Sequence, residues 1–192
     1  MRPSPEEALV KLLEGNRRFL AGEQSHPRAN IEIRRQLTLG QEPLACILGC
    51  ADSRVPPQLI FDQVIGDLFM VRVAGNVLDD VVIGSIEFAV AVLETPLVMV
   101  LGHQNCGAVR AAIEHKDKIG HLRNLTERIE PVFACCKDPN DPEEVAQINA
   151  KEVAKRLRLE SLLATRIEAG QLKVVAAYYE MHHGTVQILS ES

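Results

Sequence analysis

Cys50-Ala51-Asp52-Ser53-Arg54 and His103-Gln104-Asn105-Cys106 are the two segments of this chain whose residue types and spacing could do metal chemistry. Two cysteines, one histidine and one aspartate make a tetrahedral zinc set, so Cys50, Asp52, His103 and Cys106 are the candidate ligands. Cys106 follows His103 by three residues, and one tight turn can aim both side chains at a single ion. Zinc held by two thiolates and one imidazole is formally neutral. If Asp52 also binds, the site is anionic and closed; if Asp52 leaves, a position opens for water, as catalysis requires. Arg54 can take the Asp52 carboxylate in a bidentate, charge-assisted pair, which competes with ligation and orients Asp52 to accept a hydrogen bond. The residues therefore point to a zinc-hydroxide nucleophile gated by Asp52 and Arg54, favoured on the alkaline side of neutrality because two thiolates donate much charge. The bland alternative is a closed structural zinc. It fits less well, because aspartate is an uncommon structural ligand and a chain with this much apolar content needs no metal staple to fold.

The elements that must position these residues are legible around them. Leu44 to Gly49 runs into Cys50, and Leu97 to Gly102 runs into His103; both are apolar runs closed by Leu-Gly. Such runs read as strands buried on both faces of a parallel sheet. If the two strands are parallel neighbours, their carboxyl ends bring Cys50 and His103 to one edge, where open α/β sheets bind ligands. Upstream, Ser4-Pro5-Glu6-Glu7 is a capping box with proline at the first helical position. Leu9, Leu12, Leu13, Phe19 and Leu20 follow at helical spacing, with Gly22 as the stop. Ser25 to Asn30 reads as a polar connector, and 31–39 as a second helix ended by Gly40. Pro56-Pro57 can start a short helix, a strand is expected at about 68–73, and a helical stripe from Val82 to Leu93 is stopped by Pro96. Helices are expected over 107–115, 119–137 and 142–169. The last strands are expected at 172–179 and 185–189, joined through Met181-His182-His183-Gly184. The fold class is thus α/β: about four parallel strands plus a C-terminal antiparallel edge strand, flanked by helices, in one domain with an N-terminal helical arm (1–40) on an α/β core (41–192).

Composition bounds the function. The 192 residues are 46% hydrophobic and 24% charged, an ordinary globular balance. A net charge of −5 without a basic cluster argues against nucleic acid. No apolar stretch approaches the ~20 residues of a membrane span. The first residues have no apolar h-region, and five cysteines form no disulfide scaffold, so a reducing cytoplasm is expected.

Taken together, Cys50-Ala51-Asp52-Ser53-Arg54-Val55 and His103-Gln104-Asn105-Cys106-Gly107 resemble the signature of the β-class carbonic anhydrases, the bacterial branch best. Glu14 to Phe19, Phe61-Asp62, Gly66 to Arg72, Ala74-Gly75-Asn76, Gly84 to Val90 and Tyr179 before His183-Gly184 match in order, so the resemblance covers nearly the whole chain. It implies reversible hydration of carbon dioxide to bicarbonate and a proton, with one zinc per chain on Cys50, His103 and Cys106. It makes Asp52 a fourth ligand or the partner of Arg54. It places a substrate-binding glutamine at Gln41, nine residues before Cys50. It places an apolar pocket at Phe69 and Phe88, and a close backbone approach to substrate at Gly107. It also implies a homodimer or dimer of dimers, with the N-terminal helices packed on a partner and the active site shared between chains. A family subgroup binds inhibitory bicarbonate beside a tryptophan upstream of the first cysteine ligand. This chain has Ile47 there and no tryptophan, and with Gln41 present it looks like the constitutively open subgroup.

Two other functions compete: hydrolysis of carbonyl sulfide or carbon disulfide on the same scaffold, and a non-enzymatic zinc assembly protein. The second predicts a lost ligand or a lost Arg54, and neither is lost. Cys46 reads as a small buried apolar residue, Cys135-Cys136 as thiols at a helix end, and His182-His183 as a hairpin connection. Arg17-Arg18 and Arg34-Arg35 read as solvated or interface charges. Arg72 and Asn76 match the family but serve the fold in this reading.

Overall fold

The computed structural model describes residues 2–24, 31–116 and 119–190. The expected Ser25–Asn30 connector lies outside them. In chain order the helices are α1 (Pro5–Ala21), α2 (Ile31–Leu37), α3 (Pro57–Ile60), α4 (Asp80–Ala91), α5 (Gly107–Ile113), α6 (Arg123–Ile129), α7 (Pro142–Leu159) and α8 (Ser161–Glu168). The strands are β1 (Ala45–Gly49), β2 (Leu68–Arg72), β3 (Leu97–His103), β4 (Lys173–Glu180) and β5 (Thr185–Ser190). They form one sheet in the order β2-β1-β3-β4-β5. The first four run parallel and β5 is antiparallel to β4, as the fold class expected.

Every residue of β1 and of β3 is buried, which is why both read as continuous apolar runs. Alternate residues serve opposite faces. Cys46, Leu48, Val98, Val100, Val174 and Ala176 pack under α4, α7 and α8. Ala45, Ile47, Leu97, Met99, Leu101, Val175 and Ala177 pack under α1 and α3. Cys46 is fully buried and its thiol is pushed up to about 12 by that burial, so it behaves as the apolar residue the sequence implied.

Helix α1 begins at the reciprocal capping box of Ser4 and Glu7 and ends at Gly22 in the left-handed region. Its Ala8, Leu9 and Leu12 are buried in the chain's own core. The expected interface stripe is therefore partly used within the chain, leaving Leu20 as its exposed large apolar residue. Arg18, expected to be a solvated or an interface charge, pairs within the chain with the fully buried Asp62 carboxylate at 2.5 Å, whereas Arg17 is exposed.

The helical bounds differ from expectation in two places. Residues 119–137 form no continuous helix: α6 lies between two 3-10 segments, Gly120–Leu122 and Glu130–Cys135, with Pro131 interrupting the hydrogen-bond ladder. Residues 142–169 break at Glu160, whose extended backbone (φ −66, ψ 127) ends α7 and starts α8. After the break, Leu163 of α8 is buried in the core.

Candidate metal centre

Strands β1 and β3 are parallel neighbours with Gly49 opposite Leu101, so the chain leaves β1 into Cys50 at the edge where His103 ends β3. The ligand atoms of Cys50, His103 and Cys106 lie within 4.8 Å of one another and all three residues are buried. Their sulfurs are 4.0 Å apart. His103 Nδ1 faces the Gln104 carbonyl at 2.9 Å, which sets that nitrogen as the protonated one. Nε2 is left with a free lone pair, buried and without a hydrogen-bond partner. A buried acceptor with nothing to accept from, facing two thiols, is what a soft cation such as zinc would complete.

The thiols are prepared for the same role. The hydrogen bond from the Cys106 thiol favours the Cys50 thiolate, as does the Gly75 N–H at 3.3 Å, and the Cys50 pKa is driven down although burial opposes it. Cys106 is driven up by its hydrogen bond to Cys50 and by burial. A cation between them reverses that, because a coordinating thiol is deprotonated outright. Gly75 has φ 72, and a Cβ there would come within 2.9 Å of Ile129 Cδ1 and 3.0 Å of Ala108 Cβ. Only glycine brings this N–H to the sulfur. The buried Asn149 holds the same peptide by donating to the Gly75 carbonyl at 3.0 Å.

Asp52 is turned to Arg54 instead of the cluster. Its Oδ1 accepts from the Arg54 N–H (2.9 Å) and Nε (3.0 Å), and its Oδ2 from Nη2 (2.7 Å). This two-pronged contact from Arg54 holds the Asp52 carboxyl down at about 2 against the opposing cost of burial. The segment from Cys50 to Val55 is clamped from β2 by Arg72, which donates to the carbonyls of Cys50 (3.0 Å), Asp52 (2.7 Å) and Val55 (3.2 Å).

The other candidates are not gathered with the cluster. Gln41 is exposed and borders a groove with α2 and residues 64–67. Phe69 on β2 and Phe88 on α4 face each other with ring centroids 6.1 Å apart, and Phe88 is 46% exposed. Gly107 starts α5 beside Cys106, exposed, with nothing within 4 Å of where a Cβ would sit. Tyr179 is buried in the core on the α1 side. His182 and His183 lie in the β4–β5 connection as expected; His183 Nδ1 is 2.8 Å from the Glu180 carboxylate. Cys135 and Cys136 are free thiols. The residues that the sequence does not point to are Asn149 and Glu143, which shape the ligands from elsewhere; Arg72 and Gly75 stand out in it as family matches without a role at the site. No spacing ties Asn149 or Glu143 to segments about forty or more residues upstream.

A carbonic anhydrase family model matches residues 45–186. Carbonic anhydrase 2 of Mycobacterium tuberculosis is 43% identical over 188 residues, covering 94% of this chain and 91% of that protein. Among solved structures, the β-carbonic anhydrase CafA of Aspergillus fumigatus is 29% identical with a TM-score of 0.74, covering 96% of this chain and 92% of that one. A structure of the two tetrameric β-carbonic anhydrases of Sordaria macrospora, at 24% identity and TM-score 0.78, shares the fold over 96% of this chain and 98% of that one.

Proposed function

This chain belongs to the β-carbonic anhydrase family, and on that premise we propose that Cys50, His103 and Cys106 hold one zinc ion per chain for the reversible hydration of carbon dioxide, with Asp52 and Arg54 orienting the reacting water and gating the metal. The observation that carries the metal assignment is the orphaned His103 Nε2 facing two thiols. Zinc bound there supplies a Lewis acid that brings ionisation of a water toward neutral pH. The chain's own groups do the rest. Cys50, His103 and Cys106 would hold the metal and, with Asp52 turned away, would leave a position open to water. Arg54 engages both carboxylate oxygens of Asp52, so ligation by Asp52 would have to break that pair. Asp52, ionised, only accepts hydrogen bonds, so it turns a neighbouring O–H toward itself and leaves the oxygen lone pair facing substrate. Carbon dioxide has no charge to grip; Phe69 and Phe88 supply an apolar wall, Gln41 a donor amide, and Gly107 an unobstructed backbone approach.

The same reading takes residues 1–192 as one domain, 1–40 being an arm on the 41–192 core, and makes the working unit a homodimer or dimer of dimers. Three observations support the assembly. Among the described residues, strand β2 sits at the sheet edge with only β1 beside it. Helix α4 turns Val81, Phe88 and Val92 outward at 78%, 46% and 61% exposure. The groove that Gln41 lines with α2 contains none of Cys50, His103 and Cys106, which is the arrangement expected if Gln41 serves a partner's metal. Among the described residues no helix is long and apolar enough to cross a membrane. Five free cysteines fit a reducing cytoplasm.

Metal analysis joined to stopped-flow hydration tests the function. About one zinc per chain is expected in the wild type and a large loss in Cys106→Ser. The hydration rate is expected to rise to about pH 8–9. A zinc-loaded preparation inactive across that range would overturn the reading.

A further inference from the structure

Asn105, between His103 and Cys106, has φ 55, a left-handed conformation that a non-glycine residue keeps only where its surroundings hold it. Three groups hold it. Its N–H donates to Glu143 Oε1 at 2.9 Å, its carbonyl accepts from Arg54 Nη2 at 3.1 Å, and its Oδ1 accepts from Arg110 Nη2 at 2.8 Å. Glu143 stands in the first turn of α7, and its other oxygen accepts the hydroxyl of Tyr178. Tyr178 is buried on β4 in register with Gly102, where α7 comes so close that a Cβ on Gly102 would lie 3.1 Å from the Ala146 carbonyl. Direct hydrogen bonds thus run from the sheet through Tyr178, Glu143, Asn105 and Arg54 to Asp52.

We propose that Glu143 is a positioning residue for the active centre: gripped by Tyr178, it fixes the turn that carries His103 and Cys106 and, through the Asn105 carbonyl, the aim of Arg54 at Asp52. The role rests on the zinc reading given above. Asn105 is exposed, so water could satisfy its N–H, and what Glu143 adds is a fixed location more than a hydrogen bond. That matters for Arg54, whose side chain is 53% exposed and has many rotamers to choose from. Its contacts to Asp52 and to the Asn105 carbonyl select one of them. The neighbouring Glu144 provides the contrast, because it accepts from the N–H groups of Lys137 (2.8 Å) and Asp138 (2.9 Å), and so ties α7 to the preceding loop and not to Asn105.

The test compares zinc-loaded, full-length wild type with Glu143→Ala, Glu143→Gln, Tyr178→Phe and Glu144→Ala. Two quantities are read: zinc transfer to a chromophoric chelator, and kcat and KM for carbon dioxide hydration. Glu143→Ala should transfer zinc about tenfold faster and lose about tenfold in kcat, with KM within about twofold of wild type. Glu143→Gln keeps an acceptor for Asn105 and should recover most of both losses. Tyr178→Phe should fall between them, and it carries the comparison if Glu143→Ala does not fold. Glu144→Ala should unfold at lower temperature yet transfer zinc at the wild-type rate. Wild-type zinc transfer and kcat in Glu143→Ala would overturn the proposal. So would Glu144→Ala matching it in both readouts, since the effect would then belong to the start of α7 in general. If the zinc-loaded wild type hydrates no carbon dioxide, the proposed function fails, and the zinc-transfer series still decides the role of Glu143.

Discussion

Asp52 has two possible partners, a metal and a guanidinium, and the balance between them is set by one side chain. Arg54 meets both carboxylate oxygens and holds the carboxyl at about 2. A folded-state value below the unfolded ~3.9 means that the charged form is the stabilised one, and that this stabilisation is complete above about pH 4 and is lost progressively as the pH falls through about 2. Asp52 is therefore fully ionised over the working range and contributes no inflection there. The rising limb of hydration activity should be single between about pH 6 and 9, and a stopped-flow profile with a second inflection in that range would assign Asp52 wrongly. Removing the guanidinium should release Asp52 toward the metal. Arg54→Ala is expected to keep its zinc and its fold and to lose at least about tenfold in activity. Wild-type turnover, or loss of zinc in metal analysis, would count against the gate.

At the scale of elements, the site depends on how strands and helices are tied, and Asn16 shows the mechanism. It is buried on α1, donates to the carbonyls of Ile60 (3.2 Å) and Gly184 (2.9 Å), and accepts from the Val186 N–H (3.0 Å). One amide thus joins α1, α3 and the β4–β5 hairpin. Asn16→Ala would leave three backbone groups without it, and urea unfolding should show a loss of about 2–4 kcal/mol. Leu12→Ala, on the same helix and fully buried, should lose about 2–5 kcal/mol by opening a cavity against the sheet. An unfolding midpoint unmoved in either variant would mean that α1 is not part of the cooperative core. Because α1 contributes Ala8, Leu9 and Leu12 to that core, deleting it would test stability and association at once and separate neither.

For the whole molecule, association is better probed at α4. Val81 and Val92 are exposed at the start and the C-cap of α4, which packs on the edge strand β2. Placing charge there should cost the monomer little and an apolar interface much. Val81→Asp with Val92→Arg is expected to shift light scattering from dimer or larger toward monomer. Hydration activity should fall although every metal-cluster residue is intact, since Gln41 and the apolar wall would no longer face a partner's metal. A fully active monomer at micromolar concentration in the wild type would overturn the shared site.

Local pattern decided much of this protein before any tertiary contact was known. The two Leu-Gly strand ends, the His-x-x-Cys turn, the Ser4–Glu7 cap and the Asp52–Arg54 spacing are short-range features, and each is set by a period, a turn or a reach of a few residues. The parallel order of strands followed from burial, because β1 and β3 carry apolar residues on both faces. Packing decided what no spacing encodes. The break at Glu160 falls among good helix formers and is marked by no glycine or proline; it comes with the burial of Leu163 in the core. The Arg18–Asp62 pair depends on α1 lying across α3. Asn149 and Glu143 reach the metal segments only because α7 crosses the sheet at Gly102, where the absence of a side chain lets the helix come down onto β3. Ligands are written in the sequence as residue types at strand ends; the groups that hold those ligands still come from distant segments, and only the folded chain brings them within hydrogen-bond distance.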